Sequence, residues 1–118
     1  MIHIISYGRK YGAPDNLDFA FKVCRLRNPY ADITLRPCNG LDIDVMEYVM
    51  RDPMFIMLTT NIALAIKQYW QTIADDFTVG IYCTGGKHRS VVVSEALYAY
   101  FNANNYSVSI AHRDIDKE

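Results

Sequence analysis

The sequence lacks the cysteine and histidine patterns that mark disulfide-rich or metal-binding proteins. Its three cysteines, Cys24, Cys38 and Cys83, are odd in number and form no C-x-x-C pair. This spacing argues against a disulfide framework and a cysteine zinc site, and it fits a reducing cytosol, so we expect a cytoplasmic protein. The three histidines are far apart and have no metal-ligand spacing, so we expect neither a metal site nor a cofactor.

Long apolar runs and an excess of charge of one sign are also missing. The longest apolar stretches are too short to span a membrane. Residues 1–5 have no charged start and no cleavage site, so we interpret them as a strand and not as a signal peptide. Twelve basic and 13 acidic residues give a net charge of −1. Because this leaves no general positive field, any contact with RNA or DNA would have to use a local patch.

The 118 residues are enough for one domain with one core, and no repeat or linker divides them. We therefore expect a single domain over residues 1–118. Apolar and β-branched patterns predict strands at residues 2–6, 19–24, 77–82 and 106–112. Helical spacing predicts helices that begin near residues 42, 52 and 90. The order predicts an α/β, three-layer-like domain, in which helices flank a small, mostly parallel sheet of about four strands.

The most informative stretch is Y-C-T-G-G-K-H-R-S, at residues 82–90, between the third predicted strand and the last predicted helix. A strand that turns through glycines into a helix leaves backbone N–H groups unpaired at the helix start, where the helix dipole favours an anion. Three basic residues follow the glycines at the same point. We therefore predict a phosphate-binding loop formed by Thr84, Gly85, Gly86, Lys87, His88, Arg89 and Ser90.

Basic residues also follow the other predicted strands. Since the carboxyl ends of parallel strands meet at one edge of a sheet, where ligands bind, we expect these cations to converge around the glycine turn. They are Arg9 and Lys10, Arg25 and Arg27, Lys87 to Arg89, and His112 with Arg113. Of these, Arg9, Lys10, His112 and Arg113 are our additional candidates for ligand contacts.

The same loop also satisfies C-x-x-G-x-x-R-S, the signature of cysteine phosphatases. In that chemistry Cys83 would be the nucleophile and Arg89 would hold the phosphate oxygens. A general acid is also needed, and the candidates are Asp114 and Asp76. The alternative interpretation of Cys83, which we favour, is a small residue that closes a buried strand.

Five segments, in the same order along nearly the whole chain, resemble the C-terminal domain of the RapZ family of RNase adapter proteins. They are S-Y-G-x-K-Y-G-x-P at residues 6–14, N-P at 28–29, L-R-P-x-x-G-L-D at 35–42, C-T-G-G-K-H-R-S-V at 83–91 and H-R-D at 112–114. The resemblance implies a domain that is similar in fold to part of a phosphofructokinase. It also implies that this domain binds a phosphorylated amino sugar at the loop, oligomerises and contacts RNA and protein partners. It adds Tyr7, Gly8 and Arg36 to the candidate ligand contacts.

Full-length members of that family carry a second, nucleotide-binding domain with a Walker A loop. This chain has no G-x-x-x-x-G-K-[S/T] motif, since Lys87 is followed by His88, so we expect no ATP binding by that route. We predict that the chain binds a sugar phosphate or a nucleotide-like signal, for sensing or sequestration, and forms a homo-oligomer. The alternatives are a cysteine-dependent phosphatase and an adapter for RNA or protein.

Overall fold

The computed structural model describes residues 1–73 and 75–117, and it contains one four-stranded sheet. All three strand pairs are parallel, which confirms the predicted α/β class. In spatial order the strands are β2, β3, β1 and β4. Their bounds are β1 Ile2–Gly8, β2 Phe19–Lys22, β3 Phe77–Cys83 and β4 Val108–His112. Because the strands are parallel, all their carboxyl ends lie at one edge of the sheet.

Three helices pack with the sheet around one core. They are α1 Ile43–Met50, α2 Met54–Ile73 and α3 Arg89–Ala103, and two 3-10 turns cover Arg9–Tyr11 and Pro29–Ala31. The fully buried side chains of β1 and β3, such as Ile4, Val79 and Ile81, belong to the same cluster as those of the helices. In the part of the chain that the structure describes, no single helix is long and apolar enough to cross a membrane. The α1–α2 pair reaches those limits only when counted together, across a bend of 92°.

The strand and helix bounds differ from the predictions by about two residues, for local reasons. β1 continues to Gly8 because its register with β3 extends to the pair Gly8–Cys83. β4 begins only at Val108, since the N–H of Tyr106 is still bonded to the Phe101 carbonyl. α3 ends at Ala103, and the backbone of Asn105, two residues later, is left-handed, with φ of 67°.

Two aspartates precede helices, but only one caps its helix with its side chain. Asp52 accepts hydrogen bonds from the backbone N–H of Met54, at the start of α2, and from that of Arg27. Asp42 occupies the N-cap position of α1, yet its carboxylate accepts from the N–H of Asn39. Leu41, which directly precedes Asp42, is 50% exposed. The Asp52 side chain thus joins α2 to the segment that follows β2.

We expect Asp52→Ala to lower the free energy of unfolding by about 2 kcal/mol, because it removes a helix cap and leaves a second N–H group without an acceptor. Urea denaturation followed by circular dichroism measures this loss. Asp44→Ala, in the exposed first turn of α1, is the control and should cost less than about 1 kcal/mol. Equal losses in the two variants would contradict the bridging role of Asp52.

Candidate anion-binding site

The loop between β3 and α3 lies against the end of β1, at the carboxyl edge of the sheet. Gly86 has a left-handed φ of 74°, and a Cβ atom there would collide with the backbone of Gly8 and Tyr7. A side chain at Gly8 would likewise collide with the backbone of Gly85. The two chain segments therefore cross in direct backbone contact, and glycine at both positions allows this approach.

Backbone donors collect where this loop enters α3. The N–H groups of residues 87–90 make no hydrogen bond with any of the described residues. The first intrahelical bond at this end runs from the N–H of Val92 to the carbonyl of His88. These unpaired donors and the positive end of the helix dipole both favour a bound anion.

The Arg89 side chain is buried, at 5% exposure, and its charge is not neutralised. Nη1 donates to the carbonyl oxygens of Cys24 and Leu26, and Nη2 lies 3.5 Å from Thr84 Oγ1. Nε has no partner, and among residues 1–73 and 75–117 no carboxylate lies within ion-pair distance of Arg89. A buried guanidinium in this state can donate to an anion from outside the chain.

A cavity of about 260 Å³ opens beside Arg89. Four of its lining residues are cationic, and none of the described lining residues is an aspartate or a glutamate. The residues that line the cavity are Lys10, Asn28, Tyr30, Arg36, Cys83, Thr84, Gly85, Lys87, His88 and Arg89. The lining therefore favours a negatively charged ligand.

The cavity continues into a wider and more open cleft of about 760 Å³. Lys10, Tyr30, Arg36 and Lys87 line both. The Arg36 guanidinium lies 4.4 Å from the centre of the Tyr30 ring, and its Nε donates to the Tyr30 carbonyl at 2.8 Å. The outer cleft also includes Asn39 and residues 115–117, so it offers an acidic group, Asp116, that the inner cavity does not.

His88 attaches the loop to the segment before α1. Its Nε2 lies 2.6 Å from the carbonyl oxygen of Cys38, and the N–H of Gly40 donates to the Lys87 carbonyl at 2.8 Å. Burial, opposed by hydrogen bonding to Cys38, lowers the pKa of His88 below its usual value. We therefore treat His88 as a neutral donor that fixes the cavity wall.

Cys83 ends β3 at the base of the same loop. Its Sγ accepts a hydrogen bond from the N–H of Gly86 at 3.3 Å and lies 3.2 Å from the hydroxyl oxygen of Ser90. The side chain is buried, at 2% exposure, and Cys83 is one of the cavity-lining residues.

Half of the fourteen predicted ligand contacts line the cavity: Lys10, Arg36, Thr84, Gly85, Lys87, His88 and Arg89. The other half do not: Tyr7, Gly8, Arg9, Gly86, Ser90, His112 and Arg113. Of the cations expected to converge there, Arg25 and Arg27 also lie outside it, and Arg27 stacks on Tyr48 at 4.1 Å.

Three of the residues outside the cavity have structural partners. His112 joins Ser6 Oγ, 2.6 Å from Nδ1, to a carboxylate oxygen of Glu95, 2.7 Å from Nε2. Arg113 pairs with Asp114 at 2.8 Å, while Ser90 contacts Cys83.

Two residues that were not among the predicted ligand contacts also line the cavity, Asn28 and Tyr30. The N-P pair at residues 28–29 was the signal that could have found Asn28.

Neither candidate general acid lies in the cavity. Asp114 is fully buried and accepts from the Gly8 N–H and from Arg113 and Lys117. Burial works to raise its pKa, but these hydrogen bonds and charges outweigh burial and hold the pKa at about 2. Asp76 pairs with the amino terminus at the opposite edge of the sheet. In the described part of the chain, no group of three or more His, Cys, Asp or Glu side chains could hold a metal ion.

Comparison with known proteins relates the chain to one family. A family model described as the RapZ C-terminal domain matches residues 1–116. A nucleotide-binding protein of Citrifermentans bemidjiense is 40% identical over 120 residues, which cover 98% of this chain and 42% of that protein. A nucleotide-binding protein of Thermoanaerobacter sp. (strain X514) is 40% identical over 122 residues, which cover 100% of this chain and 43% of that protein. A nucleotide-binding protein of Zymomonas mobilis is 36% identical over 118 residues, which cover 97% of this chain and 36% of that protein. The chain thus spans about two fifths of the length of these relatives.

The Asp114 carboxylate should make the free energy of unfolding decrease as the pH falls below about 4. Its pKa of about 2 in the folded protein is below the usual 3.8, so its contribution is complete above about pH 4 and is lost as the pH falls through 2. We expect this loss to reach at most about 2 kcal/mol. Urea denaturation between pH 2 and 5 measures it, and Asp114→Asn should reduce the slope in this range. An unchanged slope in that variant would contradict the assignment.

Proposed function

The chain belongs to the RapZ C-terminal domain family, and from that premise we propose that it binds a phosphorylated small molecule in the cavity beside Arg89. The observation that carries the proposal is the buried guanidinium, which has no carboxylate partner in the described chain and an Nε without an acceptor. A phosphate group would supply both the counter-charge and the acceptor.

The number of donors around the cavity supports tight binding of a phosphate. A hydrogen bond to a charged group contributes about 1.5–3 kcal/mol. Arg89, the N–H groups of residues 87–90 and the ammonium of Lys87 together offer several such bonds. Three of them would hold a phosphate monoester without a large apolar pocket.

The outer cleft supports a ligand larger than inorganic phosphate. We propose that the phosphate lies in the inner cavity and that the rest of the molecule extends past Tyr30 and Arg36 towards Asn39. A sugar would find hydrogen-bonding groups there, and a nucleobase would find an aromatic ring. The matched relatives are named nucleotide-binding proteins, so a nucleoside phosphate belongs among the ligands to be tested beside sugar phosphates.

The position of the acids favours binding over turnover for such ligands. Neither Asp114 nor Asp76 lines the inner cavity, and Asp116 lines only the outer cleft, so no carboxylic acid lies beside the bound phosphate to protonate an alkoxide leaving group. We therefore propose sensing or sequestration as the role. A cytoplasmic location stays a prediction from the unpatterned cysteines.

An adapter function is the second candidate, because aromatic and basic side chains alternate around the outer cleft. Tyr11, Tyr30, Arg36 and Lys117 all line it. Base stacking on aromatic rings, combined with cations along the backbone, is the usual means of binding single-stranded RNA. Binding of RNA at this edge would weaken as salt is raised, and a protein partner would use the same exposed surface.

Binding should require the phosphate group and Arg89. In calorimetric titrations we expect inorganic phosphate and a hexose phosphate to bind and the unphosphorylated hexose not to bind. Arg89→Lys should weaken binding about tenfold or more, because the two-pronged donor is lost. Lys87→Ala removes a half-buried ammonium group from the cavity lining and should weaken phosphate binding by a smaller factor than Arg89→Lys.

The exposed Arg9 lies outside the cavity, so Arg9→Ala is the matched control and should bind within about twofold of the parent. Circular dichroism verifies that each variant is folded. A folded Arg89→Lys variant with the parent's affinity, or equal binding of hexose and hexose phosphate, would refute the proposal.

We also propose that copies of the chain associate through the outer face of α1 and α2. Large apolar side chains there are exposed: Ile43, Met50, Met54, Ile56, Met57 and Leu64. Light scattering on a gel-filtration column should give an oligomer for the parent and a monomer for Ile56→Glu, because Ile56 is 74% exposed in one copy and a buried glutamate would disrupt the contact. Gln71→Glu, on an exposed turn of the same helix, is the charge control. A parent that is a monomer at all concentrations would exclude this association.

A further inference from the structure

The phosphate cavity is also lined by a cysteine, Cys83. We propose that Cys83 attacks phosphate monoesters bound there, and that the chain hydrolyses those whose leaving group departs as a stable anion. This inference rests on the proposed function, since the ester must first bind beside Arg89. It adds a chemical activity to that binding site.

The arrangement of Cys83, the loop and Arg89 is the first argument. Cys83 ends a buried strand, five residues form the loop, and Arg89 is the first residue of α3. The sulfur accepts a hydrogen bond from the N–H of Gly86 at 3.3 Å, and its thiol donates to Ser90 Oγ at 3.2 Å. Contacts with the loop and with the first turn of α3 thus hold the sulfur in place at the base of the loop.

The state of Arg89 is an independent second argument. Its side chain is 95% buried, Nε lacks an acceptor and Nη2 has only a long contact, 3.5 Å, with Thr84 Oγ1. These two nitrogens are the pair of donors that can hold two phosphate oxygens at once. Cys83 and Arg89 line the same cavity, so a phosphate held by the guanidinium would lie in the cavity that Cys83 also lines.

Four cationic side chains line the cavity that Cys83 also lines. The ammonium groups of Lys10 and Lys87 and the guanidinium of Arg36 line the cavity with Arg89, and no described carboxylate joins them. Negative charge that builds up on the phosphoryl oxygens during the attack is therefore stabilised by fixed cationic donors.

The reaction would take two displacement steps. The Cys83 thiol loses its proton to solvent, and its sulfur then forms a bond to phosphorus while the bond from phosphorus to the leaving oxygen breaks. The leaving group departs with that electron pair as an oxyanion. Water next attacks phosphorus, the sulfur–phosphorus bond breaks, the sulfur regains its electron pair, and the water proton passes to solvent as inorganic phosphate leaves.

The lack of an acid in the cavity limits which esters react. Asp114 is buried behind the Gly8 backbone, where it accepts from three donors, and Asp76 lies at the other edge of the sheet. An aryl oxyanion needs no proton to depart, whereas an alkoxide does. The site should therefore cleave aryl phosphates slowly and bind sugar phosphates without cleaving them, which is the behaviour that a sensor requires.

The test uses p-nitrophenyl phosphate, with calorimetric binding of inorganic phosphate measured separately on the same samples. The parent chain should release p-nitrophenolate above the buffer rate, and mass spectrometry after acid quenching should find one phosphoryl group on the peptide that contains Cys83. Cys83→Ser should lose turnover while binding inorganic phosphate within about twofold of the parent. A hexose phosphate should yield no inorganic phosphate.

Two serines on α3 provide a matched pair. Ser90→Ala removes the hydroxyl next to the sulfur and should lower the rate about tenfold or more. Ser94→Ala removes a buried hydroxyl that has no partner one turn later, and it should leave the rate unchanged. A slower Ser94→Ala variant with an unaffected Ser90→Ala variant would overturn the assignment.

The outcomes separate this inference from the proposed function. Binding of inorganic phosphate without turnover and without a phosphorylated cysteine would overturn the inference and leave the binding function standing. Turnover that persists in Cys83→Ser would also overturn it, because another group would then be the nucleophile. A parent chain that binds no phosphate at all would refute the proposed function, and the inference with it.

Discussion

The structure depends on one unbalanced charge, the buried guanidinium of Arg89. Burying a charge without a partner costs several kcal/mol, on the order of the cost of breaking a buried ion pair. Two backbone carbonyls, from Cys24 and Leu26, offset part of this cost, but they leave the positive charge in place. A fold that keeps such a group is more stable with an anion bound than without one. The stability of this chain and its affinity for an anion are therefore linked through one side chain.

The sheet and the glycine crossing serve to hold that side chain in position. The parallel strands bring the loop after β3 next to the end of β1, and Gly86 lets its backbone pass directly against Gly8. Asp114 secures the crossing from the other side by accepting the Gly8 N–H at 2.8 Å. His88 attaches the segment before α1 to the same loop. Each of these contacts restrains the donors, so little ordering remains to be done when a ligand arrives.

The sequence was most informative where a contact is local. The loop at residues 84–90 could be predicted as a unit because strand, glycines and helix start follow one another directly. The role of His112 could not be predicted, because the direction of its side chain depends on the register of β4. Pairing with Ser6 turns its ring towards Glu95 on α3 and away from the cavity. Tyr30 was missed for a related reason: it lies in the segment between β2 and α1, whose path depends on contacts distant in the sequence, such as those of Lys87 and His88 with the carbonyls of Arg36 and Cys38.

The central claim is that an anion binds at the Arg89 guanidinium and the start of α3. The most direct measurement is a nuclear magnetic resonance titration of nitrogen-15-labelled protein with inorganic phosphate. We expect the side-chain Nε–H signal of Arg89 and the backbone N–H signals of residues 87–90 to shift together with one dissociation constant, while signals from α2 stay in place. Shifts confined to other residues, or an Arg89 Nε–H signal that does not respond while phosphate binds, would contradict the account.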